Sequence, residues 1–296
     1  MTVPLTLAIC SNRLPALRAA VTRTLQVIGE DDVLVVVIDQ ALDPSAEIQF
    51  EAALQDARVR VILNDGNLGL SRSRNRAMKE APTRHMLFVD DDITVSQTVV
   101  EELRHVLAGG VHVVGARITA DFGSLRRPWF LTSGQLHYLG CHDPGRPASI
   151  WGGCFAVDVT EARLLGVTFD ECLGRTGTSL ASAEDTTFVA QLTGLGAVAH
   201  VLQHATVAHL VPERRLRLSY LLRRAYWQGR SEVRRKNAAT GLQKEWTRNR
   251  PLQLATAPRR TLLALLYTGA VATGTLHEAA QQVAAPYSPQ SIEVHP

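Results

Sequence analysis

The chain is poor in cysteine, and its four thiols, Cys10, Cys141, Cys154 and Cys172, form no C-x-x-C pair. That spacing gives no reason to expect structural zinc. Four scattered thiols in 296 residues suit a reducing compartment better than a disulfide scaffold. Charge of one sign is also scarce. The formal net charge is +3 and the pI about 8.8, a balance that argues against a nucleic-acid partner. Long apolar runs are missing as well. Leu262–Leu276 is broken by Gly269 and Gly274 and falls short of the roughly 20 residues a bilayer crossing needs. The opening TVPLTLAICSN lacks a basic lead and a long apolar stretch, so no signal peptide is expected. These absences favour a cytoplasmic protein, at most peripheral to a membrane. Internal repeats are absent too.

What is present is an ordinary globular composition, 46% hydrophobic and 20% charged, enough for one large α/β domain and an appendage. Strand and helix patterns alternate from the start. Leu5–Cys10 is a short apolar run, and Leu14, Leu17, Val21, Leu25 and Ile28 then recur at helical steps. Val33–Ile38 is a continuous β-branched run, as a strand buried on both faces requires. A weaker helix over Ser45–Asp56, strands over Val59–Leu63, Met86–Val89 and Val111–Ile118, and helices over Ser71–Glu80 and Val95–Leu107 follow. Such βα repetition predicts a mostly parallel sheet with helices on both faces. The stretch Thr119–Ser149 shows no period and reads as a long functional loop. Beyond it, Ile150–Val157 and Ala197–Leu202 read as strands and Ser182–Leu195 as a helix. A boundary is expected near Val211–Leu216. It would separate a catalytic domain over 1–215 (halves of about 1–118 and 119–215) from a basic, then apolar, helical extension over 216–296 that ends in a disordered Pro/Ser tail.

Four local features carry chemistry. Asp90-Asp91-Asp92 follows an apolar strand directly. Three adjacent carboxylates at the carboxyl end of a buried strand repel one another unless a cation joins them, and Mg²⁺ or Mn²⁺ favours such oxygens together with phosphates. In an extended chain Asp90 and Asp92 share one side and Asp91 takes the other. The alternative is a solvated turn capping the next helix. Asn67-Leu68-Gly69 followed by Arg74-Asn75 is a glycine turn opening a helix, suited to an anion or simply a strand-to-helix connection. Ser182-Ala183-Glu184-Asp185 has the spacing of a capping box, although Asp185 would serve as a general base if it faced the crevice. His209 closes the apolar Thr206–Ala208, with nothing local to single it out from His200 or His204.

Taken in order, these pieces resemble the inverting family-2 glycosyltransferases of the GT-A fold over about Leu5 to Arg230. Ser11-Asn12-Arg13 resembles the family's nucleotide-contacting turn, and Val35–Asp39 resembles the strand end whose aspartate meets the base. Asn67, Gly69 and Arg74 fall in the N-x-G…R-N block, and Asp90-Asp91-Asp92 resembles the D-x-D motif. Gly152-Gly153 follows Trp151 as in the strand lining the donor sugar. Phe169-Asp170-Glu171 and Glu184-Asp185 resemble the acidic pairs, and His209 with Arg214-Arg215 resembles the closing segment. Two departures stand out: Gln40 follows Asp39, and Ala183 stands where the family usually has glycine.

The resemblance implies transfer of a sugar from a nucleoside diphosphate, with uridine or thymidine favoured, onto an acceptor hydroxyl or amine of a glycan, lipid-linked glycan or small natural product. Asp185 is the expected base, with Glu184 as fallback. Asp92 and His209, with Asp90 nearby, are the expected ligands of Mn²⁺ or Mg²⁺. Ser11, Asn12, Arg13, Asp39, Asn67, Gly69, Asp90, Asp91, Gly152 and Gly153 are expected to contact the nucleotide sugar, Arg74, Arg214 and Arg215 its diphosphate, and Trp151 and Trp129 the acceptor. Two rival classes are a sugar nucleotidyltransferase, whose Gly-rich basic loop is not found at Ser11–Leu14, and a non-catalytic carbohydrate-binding relative. For the arginine-rich stretch after Leu216 the readings are a helix lying on a membrane surface or one packed on the catalytic domain with its arginines in water.

Overall fold

The structure is a computed structural model that describes residues 3–40, 55–236, 243, 247 and 258–284. The expected helix at Ser45–Asp56 and the Pro/Ser tail fall almost wholly outside these residues. An eight-stranded sheet runs in the order β3-β2-β1-β4-β7-β6-β8-β5. Its first half comprises β1 (Leu5–Ser11), β2 (Val33–Ile38), β3 (Val59–Leu63) and β4 (His85–Val89), all parallel. The second half comprises β5 (Ile93–Thr94), β6 (Val113–Asp121), β7 (Cys154–Asp158) and β8 (Ala199–Leu210). Here β7 runs antiparallel between β4 and β6, and β5 antiparallel to β8, while the other pairings are parallel, the mostly parallel sheet expected.

Alternation along the strands builds two cores. Leu5, Leu7, Ile9, Leu87 and Val89 face helices α1 (Leu14–Leu25) and α3 (Gln97–Ala108). Ala8, Val35, Val37, Met86 and Phe88 face α2 (Leu70–Glu80), α4 (Val159–Leu164) and α5 (Glu184–Gly194). β2 is buried from Leu34 to Ile38, so its run of apolar residues serves both cores. Helix α3 starts where Ser96 accepts the amide of Val99 at 3.4 Å. Helix α4 starts where Asp158 accepts the amide of Glu161 at 3.0 Å. The sequence pattern passes over α4 because six residues are too few to show a period.

Other differences have local causes. The segment Ile150–Gly153 is irregular, not strand; its Gly153 carbonyl accepts the amide of Asp90 at 3.0 Å. β8 is longer than expected, because a register shift at Ala116/Arg117 lets it pair with β6 as far as Leu210. The loop after β6 holds a 3-10 helix over Ser133–Leu139, and its Tyr138 is fully buried.

The chain then passes through a 3-10 turn (Glu213–Leu216) into α6 (Leu218–Arg234) and later α7 (Pro258–Ala284). Leu216, Leu221, Ala225, Leu263, Tyr267 and Val271 join the same buried cluster as the sheet, and Tyr267 stacks on Tyr138 at 5.3 Å. The reading of α6 as packed on the domain therefore holds, but its arginines are not all in water. Arg224 is buried, and Arg230 and Arg234 meet Glu278 of α7 at 2.6 and 2.8 Å. Among the described residues no helix is long and apolar enough to cross a membrane.

Helices α6 and α7 cross with their backbones in contact. A Cβ at Gly229 would land on the carbonyl oxygen of Val271, and one at Gly274 on that of Tyr226. Gly229→Ala is therefore expected to push the helices apart and to cost at least the 1–3 kcal/mol or so of ordinary overpacking. Thermal or urea unfolding checks this. An unchanged melting temperature would mean that the crossing is looser than described.

Candidate active site

The carboxyl ends of β1, β2 and β4 open into a cavity of about 500 Å³. Asp90, Asp91 and Asp92 enter it together just after β4, in a turn closed where the amide of Ile93 donates to the Asp90 carbonyl at 3.0 Å, and not as the alternating extended residues expected. Asp91 turns inward and is 4% exposed. It accepts from Ser11 Oγ and from both Nη2 and Nε of Arg13, the last at 3.1 Å. Burial raises its pKa, and the neighbouring Asp92 and Asp90 add to this; Arg13 and Ser11 oppose it. Ser11 and Arg13 thus hold Asp91 in place from the turn after β1.

Asp92 faces the cavity beside His209, because β5 pairs antiparallel with β8 and sets Ile93 opposite His209. Its Oδ2 lies 3.0 Å from Arg13 Nη2 and 3.0 Å from Arg215 Nη2, and its Oδ1 lies 3.3 Å from His209 Nε2. Burial alone would raise its pKa. The hydrogen bond with His209 and the charges of His209, Arg215 and Arg13 overcome that and hold it well below the usual carboxylate range. A carboxylate oxygen and an imidazole nitrogen facing each other across 3.3 Å are donor types that suit Mn²⁺, and the oxygen also suits Mg²⁺. Among the described residues no cluster of three or more His, Cys, Asp or Glu residues could hold a metal ion. A cation between Asp92 and His209 would complete its shell with phosphate oxygens and water, as these hard ions do.

Arg74 organises the opposite wall. It is 1% exposed and reaches Glu184 Oε1 at 2.9 Å, Asp90 Oδ1 at 3.1 Å and the carbonyl of Gly152 at 2.9 Å. Its guanidinium carbon lies 5.9 Å from the ring centre of Phe88 and 5.5 Å from that of Phe169. The family resemblance implies a diphosphate partner for Arg74. The side chain is instead occupied by two carboxylates and a carbonyl inside the protein. Glu184 is buried with it, and burial followed by the charge of Asp185 raises the Glu184 pKa against the pull of Arg74.

Asp185 differs from its neighbour. It is half-buried on the cavity, its Oδ2 accepts the amide of Gly152 at 2.5 Å, and its Oδ1 accepts the amide of Thr186 at 2.7 Å. The capping box expected from Ser182 does not form. Helix α5 begins after Ala183, which adopts the left-handed conformation with φ 80°. Ser182 is drawn to α6, where its amide meets Ser231 Oγ at 3.0 Å and its hydroxyl meets Gln228 Oε1 at 3.3 Å. Beside Gly152, Trp151 lines the cavity and stacks on His142 at 4.0 Å.

Asp39, at the end of β2, is 5% exposed. Its Oδ1 accepts from Asn64 Nδ2 at 2.7 Å and from the amide of Leu68 at 2.9 Å, while Oδ2 accepts the amide of Gly69 at 2.9 Å. One acceptor direction remains, on Oδ2. Gly69 has φ 101°, and a Cβ there would strike Thr176, so only glycine fits this helix start.

The structure brings Ser11, Asn12, Arg13, Asp39, Arg74, Asp90, Asp91, Asp92, Trp151, Gly152, Gly153, Glu184, Asp185, His209 and Arg215 onto one cavity. It leaves others apart. Arg214 points outward while the adjacent Arg215 turns in, a split that the 3-10 turn imposes. Trp129 is 66% exposed, packs edge-on against Phe130 and does not line the cavity. Asn67 is exposed, its Oδ1 accepting the amide of Gly177 at 3.4 Å. The sequence reading missed Arg175, Gln228 and Glu232, and it left Arg224 without a role at the site; all four line the cavity. For the three on α6 the available signal was the four-residue spacing 224, 228, 232 within a stretch read only as basic.

Residues 7–157, just over half of the 296, match the sequence profile of the family described as glycosyl transferase family 2. The chain is 26% identical over 253 residues to the succinoglycan biosynthesis protein ExoM of Rhizobium meliloti strain 1021, a match covering 83% of this chain and 79% of that protein. Among solved structures it resembles the mannosyltransferase PcManGT of Pyrobaculum calidifontis, determined in complex with GDP-Man and Mn²⁺. That superposition has a TM-score of 0.57 at 16% identity and covers 96% of this chain and 81% of that one. It also resembles S. aureus TarS 1–349, with a TM-score of 0.53 at 14% identity, covering 97% and 93%. These structural likenesses show a shared GT-A fold.

Removing Arg74 strands the buried Glu184. Arg74→Gln is expected to cost about 3–5 kcal/mol, the scale of breaking a buried ion pair. Denaturant unfolding measures it. A variant as stable as the parent would leave Arg74 free for a ligand after all.

Proposed function

The chain belongs to glycosyl transferase family 2, and from that membership we propose that it moves a sugar from a uridine or thymidine diphosphate donor to an acceptor hydroxyl or amine, in one displacement that inverts the anomeric carbon. The observation that carries this reading is the division of charge around one cavity. Arg13, Arg215, His209 and Asp92 gather at one part of it, and the Asp185 carboxylate, fixed by the Gly152 amide, stands at another.

Asp185 is the base that takes the acceptor's proton, because its carboxylate borders the cavity and touches only amides. Glu184 is less suited, being buried against Arg74. Asp92 and His209 would hold Mn²⁺ or Mg²⁺, which when bound would neutralise charge on the departing diphosphate. Arg13 and Arg215 add fixed positive charge beside it. The remaining acceptor direction of Asp39 Oδ2 suits a base that presents an N–H, as uracil and thymine do. Trp151 offers an aromatic face to the acceptor. The part that ExoM takes in succinoglycan biosynthesis supports a glycan acceptor, free or lipid-linked.

Two measurements test this. Asp185→Asn keeps the shape and one amide contact, so stability should change by about 1 kcal/mol and donor affinity should hold. Turnover should fall by roughly a hundredfold or more. Full activity would move the role to Glu184 or another group. Second, uridine or thymidine diphosphate with Mn²⁺ should raise the melting temperature, since ligand at 100 times its dissociation constant adds about 2.7 kcal/mol. Asp92→Asn should remove the metal-dependent part of that rise. No shift with any nucleoside diphosphate, with or without metal, would sink the proposal.

A further inference from the structure

One part of the cavity wall is not used by the reaction outlined above. Along α6, Arg224, Gln228 and Glu232 follow one another at four-residue intervals and all line the cavity. Arg224 Nη1 donates to Gln228 Oε1 at 3.2 Å, and Gln228 Nε2 donates to Glu232 Oε1 at 2.9 Å. Glu232 is 7% exposed and its Oε2 has no hydrogen-bond partner. Arg175, on the loop before α5, lines the same wall. Arg223 Nη2 ties that loop to α6 through the carbonyl of Thr178 at 2.6 Å.

Most of the cavity's arginines are paired, while Asp39 and Asp185 bond to amides instead. Arg74 holds Glu184 and Asp90, Arg13 and Arg215 hold Asp91 and Asp92, and Glu232 lies 3.8 Å from Arg235. Among the described residues no carboxylate lies within 4.0 Å of Arg224 or Arg175, although Arg224 is only 8% exposed. Burial, and then the charge of Arg175, lower the Arg224 pKa, against a smaller opposing pull from Tyr220, Glu184 and Tyr138. A buried guanidinium without a carboxylate is costly. It makes chemical sense where an anionic ligand supplies the missing charge, and a pair of arginines suits a phosphate oxygen set.

We propose that Arg224 and Arg175 form a second anion site that holds a phosphate-type group carried by the acceptor, with Glu232 Oε2 accepting from one of its sugar hydroxyls. This rests on the reading in which Asp185 faces the acceptor. The donor diphosphate has its own cations, Arg13 and Arg215, which come from the turn after β1 and from the 3-10 turn before α6. Arg224 and Arg175 come from α6 and from the loop leading to Asp185. The acceptor class is therefore a phosphorylated saccharide, either free in solution or a lipid-linked sugar diphosphate.

The test uses the full chain with uridine diphosphate and Mg²⁺ already bound, so that the donor site is filled. Glucose 1-phosphate is titrated in one arm. In the other, the protein is sedimented with phosphatidylcholine vesicles carrying a polyprenyl diphosphate. Binding in either arm is expected to persist beside the nucleotide and to weaken at least tenfold in both Arg224→Gln and Arg175→Gln. Nucleotide affinity should change less than twofold. The melting temperature of Arg224→Gln should not fall, since no ion pair is lost; a purely structural arginine would lower it. Binding of glucose 1-phosphate identifies a soluble acceptor, and binding by the vesicles alone a lipid-linked one. The anion site is overturned if neither arm binds, if the probe competes with the nucleotide, or if the variants weaken nucleotide and probe alike. Failure of uridine diphosphate to bind at all would instead remove the donor reading, leaving the arginine variants readable with the two probes alone.

Discussion

The site depends on one buried cation. Arg74 reaches from α2 to the end of β4, to the turn before β7 and to the first residue of α5, through Asp90, the Gly152 carbonyl and Glu184. Those segments carry most of the groups the chemistry requires. Two phenyl rings close over the guanidinium and keep water from competing for its hydrogen bonds. Asp185 follows Glu184 directly, and its own carboxylate bonds to the amide of the same glycine whose carbonyl Arg74 holds. The orientation of Asp185 is therefore set from two sides by one buried network.

The aspartate triplet shows how adjacent residues of one type come to differ. The turn that follows β4 sends Asp91 inward, where Ser11 and Arg13 tie it to the turn after β1. Asp90 turns to Arg74, and Asp92 to His209 and the arginines. Each carboxylate has a positive neighbour, Arg13 being shared by Asp91 and Asp92, which offsets part of their mutual repulsion before any cation arrives.

What the sequence made legible was local. β2 and β3 matched their expected bounds because a continuous β-branched or alternating run has little freedom to be anything else. The acidic triplet was visible because its signal lies within three residues. The functions of Arg74 were not visible, since its partners lie 16, 78 and 110 positions away. The capping box at Ser182 failed for the same reason: Ser231 and Gln228, 49 and 46 positions on, outcompete a local bond. The wall on α6 read as a basic amphipathic helix, because spacing alone does not tell which face meets a cavity and which meets another helix.

That second face of α6 has a consequence of its own. Gly229 and Gly274 bring α6 and α7 into backbone contact, while Arg224, Gln228 and Glu232 project on the side away from that seam. The helix is thus indexed from behind, like a key seated in its ward. Its cavity-facing residues can be exchanged without moving the rod that bears them, provided the two glycines stay. Drift in what this protein accepts would then proceed by side-chain replacement at those three positions, on a frame whose register is inherited unchanged.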